Sequence, residues 1–242
     1  MPINHDRTAA PPPSLPKSWL IVPPSADPAA VDAAGASRIV VDLYGPDVEH
    51  DGFGAIVAAW RPLASPSGRL AARLPPAATD GAAVLVDLAI TLGASTVLLA
   101  GARHGADVQH CDVLLQIAEA RAQMLVGATR IVALAGDNPQ GLLEASSFGG
   151  KSRRLVGLGW DAAALSAKAG ALDYLGEDVA ATARGLLVLG AGSAGLRALD
   201  TVDDEGDRSA FENACRHARL QGFVGKMTRQ PWQVPVIERI FA

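Results

Sequence analysis

The 242-residue chain is poor in cysteine and in aromatic side chains, with two Cys and only 5% Phe, Trp and Tyr. Cys111 and Cys215 stand far apart, with no Cys-x-x-Cys or other metal-ligand spacing. That excludes a disulfide scaffold and a structural zinc site, and it suits a reducing cytoplasm. Lys and Arg form no long runs and the net charge is −4, so neither nucleic acid nor an acidic membrane finds an attractive surface. No uninterrupted apolar stretch reaches the roughly 18–20 residues of a membrane helix. The opening MPINHDRTAAPPPSLP lacks the charged start and apolar stretch of a signal peptide. It is too polar and proline-rich to bury surface, so residues 1–16 read as a mobile tail and 17–242 as one cytoplasmic domain.

What the chain does have is apolar content, 49%, enough for a large core. It comes in short runs: SWLIVPP from Ser18, RIVVDLY from Arg38, GRLAARL from Gly68, TVLLAG from Thr96, RIVALAG from Arg130, RLVGLG from Arg154, RALDTV from Arg197 and GKMTRQ from Gly225. Each is bounded by Gly, Pro or a polar loop, as strands are. Helical patterns lie between most of them. CDVLLQIAEARAQM carries apolar residues at i, i+3 and i+4, and DRSAFENACRHARLQGF does so with Gly222 as a stop. Eight strands alternating with helices predict a parallel sheet closed into a (β/α)8 TIM barrel. A doubly wound sheet would alternate too, but a helix after each of eight strands favours closure.

LLVLGAGSAGLRALD, from Leu186, contains Gly190-x-Gly192-x-x-Gly195, the fingerprint of a dinucleotide site. Such a site needs a helix after its glycines and a second strand beyond. Here a strand start follows at once, and EDVAATARGLLVLGA reads better as a helix that the glycines close. A nucleotide-dependent oxidoreductase is therefore the least supported of three functions.

In a barrel, chemistry sits at the C-terminal ends of the strands. Those ends offer Asp42, Arg73, Arg103, Asp137, Asp161, Asp203 and Arg229. Asp161, in VGLGWD, is placed either to cap the next helix or to bind a metal or substrate. Asp137, before Asn-Pro-x-Gly, either makes an Asx-turn or serves as a second carboxylate. Two carboxylates on consecutive strand ends can hold Mg²⁺, which takes a few carboxylates and completes its shell with water and substrate oxygens. Arg73 is either half of a surface ion pair or a bidentate clamp for a substrate carboxylate.

The segments SWLIVPP, VVDL, RLP at Arg73, VGLGWD and GKMTRQPWQVPVIERIF, in this order, resemble the citrate lyase β-subunit-like proteins of the HpcH/HpaI aldolase group. The likeness runs from about Ser18 to Ala242. It implies a TIM barrel that uses Mg²⁺ to cleave or form a C–C bond in a 2-oxo acid or acyl-CoA, through an enolate, in a homotrimer or hexamer. It implies that Arg73 holds the substrate carboxylate, that Asp161 and Asp137 hold the metal, and that Gly159 and Trp160 border the substrate. The resemblance does not identify the general acid/base; a residue of the Asp203–Glu205 run after the seventh strand, with Asp203 as the candidate, could serve, on its own or a neighbouring subunit's site. The chain also departs from the pattern. Pro75 replaces an Asn, Trp160 an acid, Ala100-Gly101 a Pro-Lys and Gln230 a His, while Gly136 falls where the metal-binding Glu belongs by strand count. Those losses keep open a second function, a barrel that binds ligands or subunits without turnover.

Overall fold

A computed structural model describes residues 14–45, 48, 50–64, 68–170, 176–201 and 206–242. The strands are β1 (Ser18–Val22), β2 (Arg38–Asp42), β3 (Leu70–Leu74), β4 (Thr96–Leu99), β5 (Arg130–Ala133), β6 (Leu155–Gly159), β7 (Arg197–Asp200) and β8 (Phe223–Thr228). They pair in sequence order, all parallel, and β8 returns to β1 through Ser18↔Lys226 and Trp19↔Met227. The result is the closed (β/α)8 barrel that the apolar runs predict, in a single domain.

Successive side chains along each strand face opposite ways. One set, including Trp19, Ile21, Val40, Ala71, Leu98, Val132, Leu199 and Met227, fills the barrel. The other, including Leu20, Ile39, Val41, Leu70, Ala72, Val97 and Ile131, packs under the helices. Both faces are dry, which is why the strands read as continuous apolar runs without polar alternation.

The outer layer comprises α1 (Pro28–Ala33), α2 (Phe53–Trp60), α3 (Ala82–Leu92), α4 (Gly105–Arg121), α5 (Pro139–Leu143), α6 (Ala162–Lys168), α7 (Glu177–Ser193), α8 (Arg208–Gln221) and α9 (Val234–Ile240). Gly222 ends α8 in the left-handed conformation, φ +104°. α7 runs through Gly190 and Gly192, and Gly195 turns the chain into β7 at φ +68°. A Cβ on Gly190 would lie 2.2 Å from that of Ala145, so this glycine lets α7 settle on the turn at Ala145–Phe148. The GAGSAG stretch is thus a helix end against a packed neighbour, with no strand–turn–helix to receive a dinucleotide.

Leu15 and Pro16 lie at the N-terminal floor of the barrel. Leu15 joins the interior cluster, and the Trp19 indole donates to the Pro16 carbonyl at 2.9 Å. Residues 1–13 of the expected tail lie outside the described residues. No helix among the described residues is long and apolar enough to cross a membrane.

Beside the floor, Arg154 binds Glu119 of α4 with two nitrogens, at 2.8 and 2.7 Å, and Asp112 at 2.6 Å. The backbone N–H groups of Gly127 and Thr129 also donate to Glu119. Burial alone would raise the Glu119 pKa, but Arg154 and these N–H groups outweigh it and hold the carboxyl below its ordinary value. The network ties α4 to the start of β5 and β6. Removing one partner leaves a buried charge alone, which costs roughly 3–5 kcal/mol. Glu119→Ala should lose about that much stability in urea unfolding, and Glu119→Leu with Arg154→Met should recover most of it. Because the native pKa is depressed, the wild-type advantage should fade as pH drops through and below 4.5.

Candidate active site

Closure brings the C-terminal strand ends into one ring. Asp42 and Arg73 are register partners on β2 and β3, so the Arg73 guanidinium meets Asp42 directly. Its Nη1 donates to both carboxylate oxygens, at 3.1 and 3.3 Å. Its Nη2 lies 4.0 Å from Asp161 Oδ2. Tyr44 adds a cation–π contact, its ring centroid 5.3 Å from the guanidinium carbon.

Asp161 follows β6 and uses its two oxygens differently. Oδ1 accepts from the Ala163 and Ala164 N–H groups, at 3.1 and 3.2 Å, and caps α6. Oδ2 faces Arg73 and also Arg229, whose Nη2 is 3.5 Å away. Capping and site chemistry, alternatives on the sequence, are here compatible. Arg229, just past β8, helps line a cavity of about 210 Å³ with Ile21, Val22, Pro23, Pro24, Asp42 and Gly45. That volume is below the usual drug-sized pocket and suits a small metabolite.

Asp137 lies in a 3₁₀ turn after β5 and is 2% exposed. It makes no Asx-turn; Asn138 takes that duty, accepting from Gly141 N–H as the cap of α5. Asp137 Oδ2 accepts from Gly101 N–H at 3.0 Å, while Oδ1 is buried with no hydrogen-bond partner. Burial, aided by the charge of Asp161, pushes its pKa up to about 7 against the pull of Gly101 N–H, Arg73 and Lys168.

A divalent cation fits this chemistry. Asp137 Oδ1 is an orphaned hard donor, Asp161 Oδ2 is free of the helix cap, and the two carboxylates sense each other's charge. Among the described residues no three His, Cys, Asp or Glu side chains gather to hold a metal. A cation here would rest on two carboxylates, with water and substrate oxygens as its other ligands.

Gly159 and Trp160, expected beside the substrate, are placed differently. A Cβ on Gly159 would point into the barrel, 2.9 Å from Leu134 Cδ2, so the glycine serves interior packing. Trp160 is 2% exposed, turned away from the mouth into the outer core. Its indole donates to Asp200 at 3.1 Å. Asp200 also takes Lys226 at 2.7 Å and Arg184 at 3.4 Å, all within the layer between barrel and helices. Burial would raise the Asp200 pKa, but Lys226 and Arg184 hold it below the ordinary carboxylate value. The sequence reading missed this group; its signal was a Lys and an Asp on adjacent, otherwise apolar strands. Asp203 lies outside the described residues.

Trp160 also explains Gly136. A Cβ at position 136 would lie 2.1 Å from Trp160 Cβ, so the indole residue fills the space in which any side chain there would start. The next residue of this turn is the buried Asp137.

No protein-family model matches the sequence, and no curated protein matches it. Solved structures do. The citrate lyase β-subunit of Mycobacterium tuberculosis with the triphosphate group of ATP is 25% identical, covering 94% of this chain and 97% of that chain, with a TM-score of 0.75. The same subunit with oxaloacetate and magnesium is 24% identical over 93% and 96%, at 0.74. The chain has the citrate lyase β-subunit fold. RipC from Yersinia pestis, 22% identical over 94% and 95% at a TM-score of 0.73, shares it. These structural neighbours are the ones that the sequence resemblance points to. Against that fold, the mouth of this citrate lyase β-like barrel is set by Arg73, Asp161, Asp137 and Arg229, with Trp160 as a packed support.

Two expectations follow. Gly136→Ala should cost roughly 1–3 kcal/mol through overpacking, and much less in a Trp160→Ala background; a double-mutant cycle by urea unfolding reads the coupling. Asp137, with a native pKa near 7 against an ordinary 3.8, stabilises most at low pH and loses that contribution as pH rises through 7. Relative to Asp137→Asn, wild-type stability in EDTA should fall between about pH 4 and 7.

Proposed function

We propose that the protein is a carbon–carbon lyase or aldolase that acts on a small 2-oxo acid or its acyl-CoA adduct with the help of Mg²⁺. The observation that carries this reading is the meeting of Arg73, Asp137 and Asp161, from three separate strand ends, at one mouth. The structural neighbours support it. One is complexed with oxaloacetate and magnesium, another with magnesium, acetoacetate and coenzyme A.

Asp161 Oδ2 and Asp137 Oδ1 would hold the cation. When bound, it supplies the positive charge that lowers the cost of a developing enolate. Arg73 orients the substrate carboxylate with a guanidinium that Asp42 and the Tyr44 ring hold in place. Preorganised charge of this kind acts where charge develops and needs no rearrangement during reaction. The burial of Asp137 keeps water from its free oxygen. The acid/base role of Asp203 belongs to the same proposal, as does assembly into a homotrimer or hexamer. A cytoplasmic setting fits a chain whose two cysteines, Cys111 and Cys215, are both buried.

The second reading, a barrel that binds without turnover, draws on Gly136, where Trp160 leaves no room for an acid. Purified protein should cleave malyl-, citramalyl- or citryl-CoA only with Mg²⁺ present, and Arg73→Gln should lower kcat/KM roughly 100-fold or more. Absence of turnover on all three esters, with no calorimetric Mg²⁺ binding, would overturn the lyase reading in favour of the second.

A further inference from the structure

Arg229 has no place in the mechanism above, yet it makes the nearer of the two guanidinium contacts to Asp161 Oδ2, 3.5 Å against 4.0 Å for Arg73. The two arginines differ in how they are held. The Arg73 side chain is 11% exposed and anchored on both oxygens of Asp42. The Arg229 side chain is 41% exposed, lines the open cavity, and has Asp161 as its ion-pair partner among the described residues. Its contact is longer than a hydrogen bond. A long, partly solvated side chain held by one loose contact can leave it cheaply.

Asp161 has one oxygen to offer, because Oδ1 is committed to the α6 cap. Arg229 stands against the other. A second cation at that oxygen would face the guanidinium at a few ångströms, where like charges repel even through solvent. We propose that Arg229 is an internal counter-cation of Asp161, competing with a divalent metal for Oδ2, so that metal binds well only when an anionic ligand in the cavity draws Arg229 away. Metal and anion then bind cooperatively, and the coupling is reciprocal. Arg229 is thus a positioning residue that orders ligand binding. Asp42, also on the cavity wall, is engaged by Arg73, so an anion that meets Arg73 can draw Arg229 away from Asp161 as well.

The inference rests on the reading of Asp161 as a metal ligand, and it is tested by binding rather than turnover. Mg²⁺ is titrated calorimetrically into the full-length wild type, Arg229→Gln and Arg229→Lys, with and without malonate as the anionic probe. Arg229→Gln should bind Mg²⁺ roughly tenfold or more tightly than wild type, and Arg229→Lys should stay near wild type. Malonate should tighten Mg²⁺ binding to the wild type by a larger factor than to Arg229→Gln, which keeps Arg73 and the carboxylate oxygens that reach the cation. Thermal unfolding checks that the variants are folded; Arg229 lies at the exposed mouth, outside the core. Equal, weaker or undetectable Mg²⁺ binding by Arg229→Gln would overturn the proposal, as would an equal malonate effect on both proteins. The lyase reading is judged separately. A protein that cleaves no CoA ester yet shows this coupling keeps the counter-cation and loses the lyase. One that cleaves an ester while Arg229→Gln gains no Mg²⁺ affinity does the reverse.

Discussion

β1 hydrogen-bonds to β2 on one side and to β8 on the other, and the second pairing, from Ser18↔Lys226 to Leu20↔Thr228, leaves the sheet without an edge. An open parallel sheet would spread its strand ends along a line. Closure bends that line into a ring, and Asp42, Arg73, Asp161 and Arg229, from separate parts of the chain, meet on it. The same closure seals the interior, so the charges at the mouth sit above a dry layer of Leu98, Val132, Leu199 and Met227. Low polarisability beneath them strengthens each contact. Fold and site are one constraint at two scales.

The strands were legible because a barrel buries both faces of each. WLIV in β1 and IVV in β2 are apolar on both faces of the strand, and only a sheet covered on two sides calls for that. GAGSAG was legible once its neighbours were weighed, since a strand began where a dinucleotide helix should have been. The cap at Asp161 was legible too, and it engages one carboxylate oxygen while the other faces Arg73 and Arg229. What stayed hidden were the partners of long side chains. Nothing in GKMTRQ tells that Lys226 turns outward to a buried Asp200 while Arg229 reaches across the mouth to Asp161. Trp160 was expected at the rim because it follows a strand. Its direction is set by Asp200 and by the gap at Gly136, and neither is local to VGLGWD.

The two ionic groups of the upper barrel solve different problems. Asp200, Lys226 and Arg184 are sealed in the outer layer, where each charge must be matched to be tolerated at all. Asp42, Arg73, Asp161 and Arg229 sit at the mouth with water nearby, so their pairings can be exchanged for a ligand. The first group fixes the wall that Trp160 belongs to. The second can afford to be rearranged because the first cannot.

Gly136 and Trp160 share one volume, and that makes them a latch on the sequence's own future. A substitution that places a side chain at 136 collides with Trp160 Cβ. Shrinking Trp160 first opens a void in the outer core and strips Asp200 of a donor. Neither single step is neutral, so any route to an acid at position 136 is blocked on both sides. Change at this mouth is channelled instead to positions with room to vary, and Arg229, at the solvent edge, is one of them.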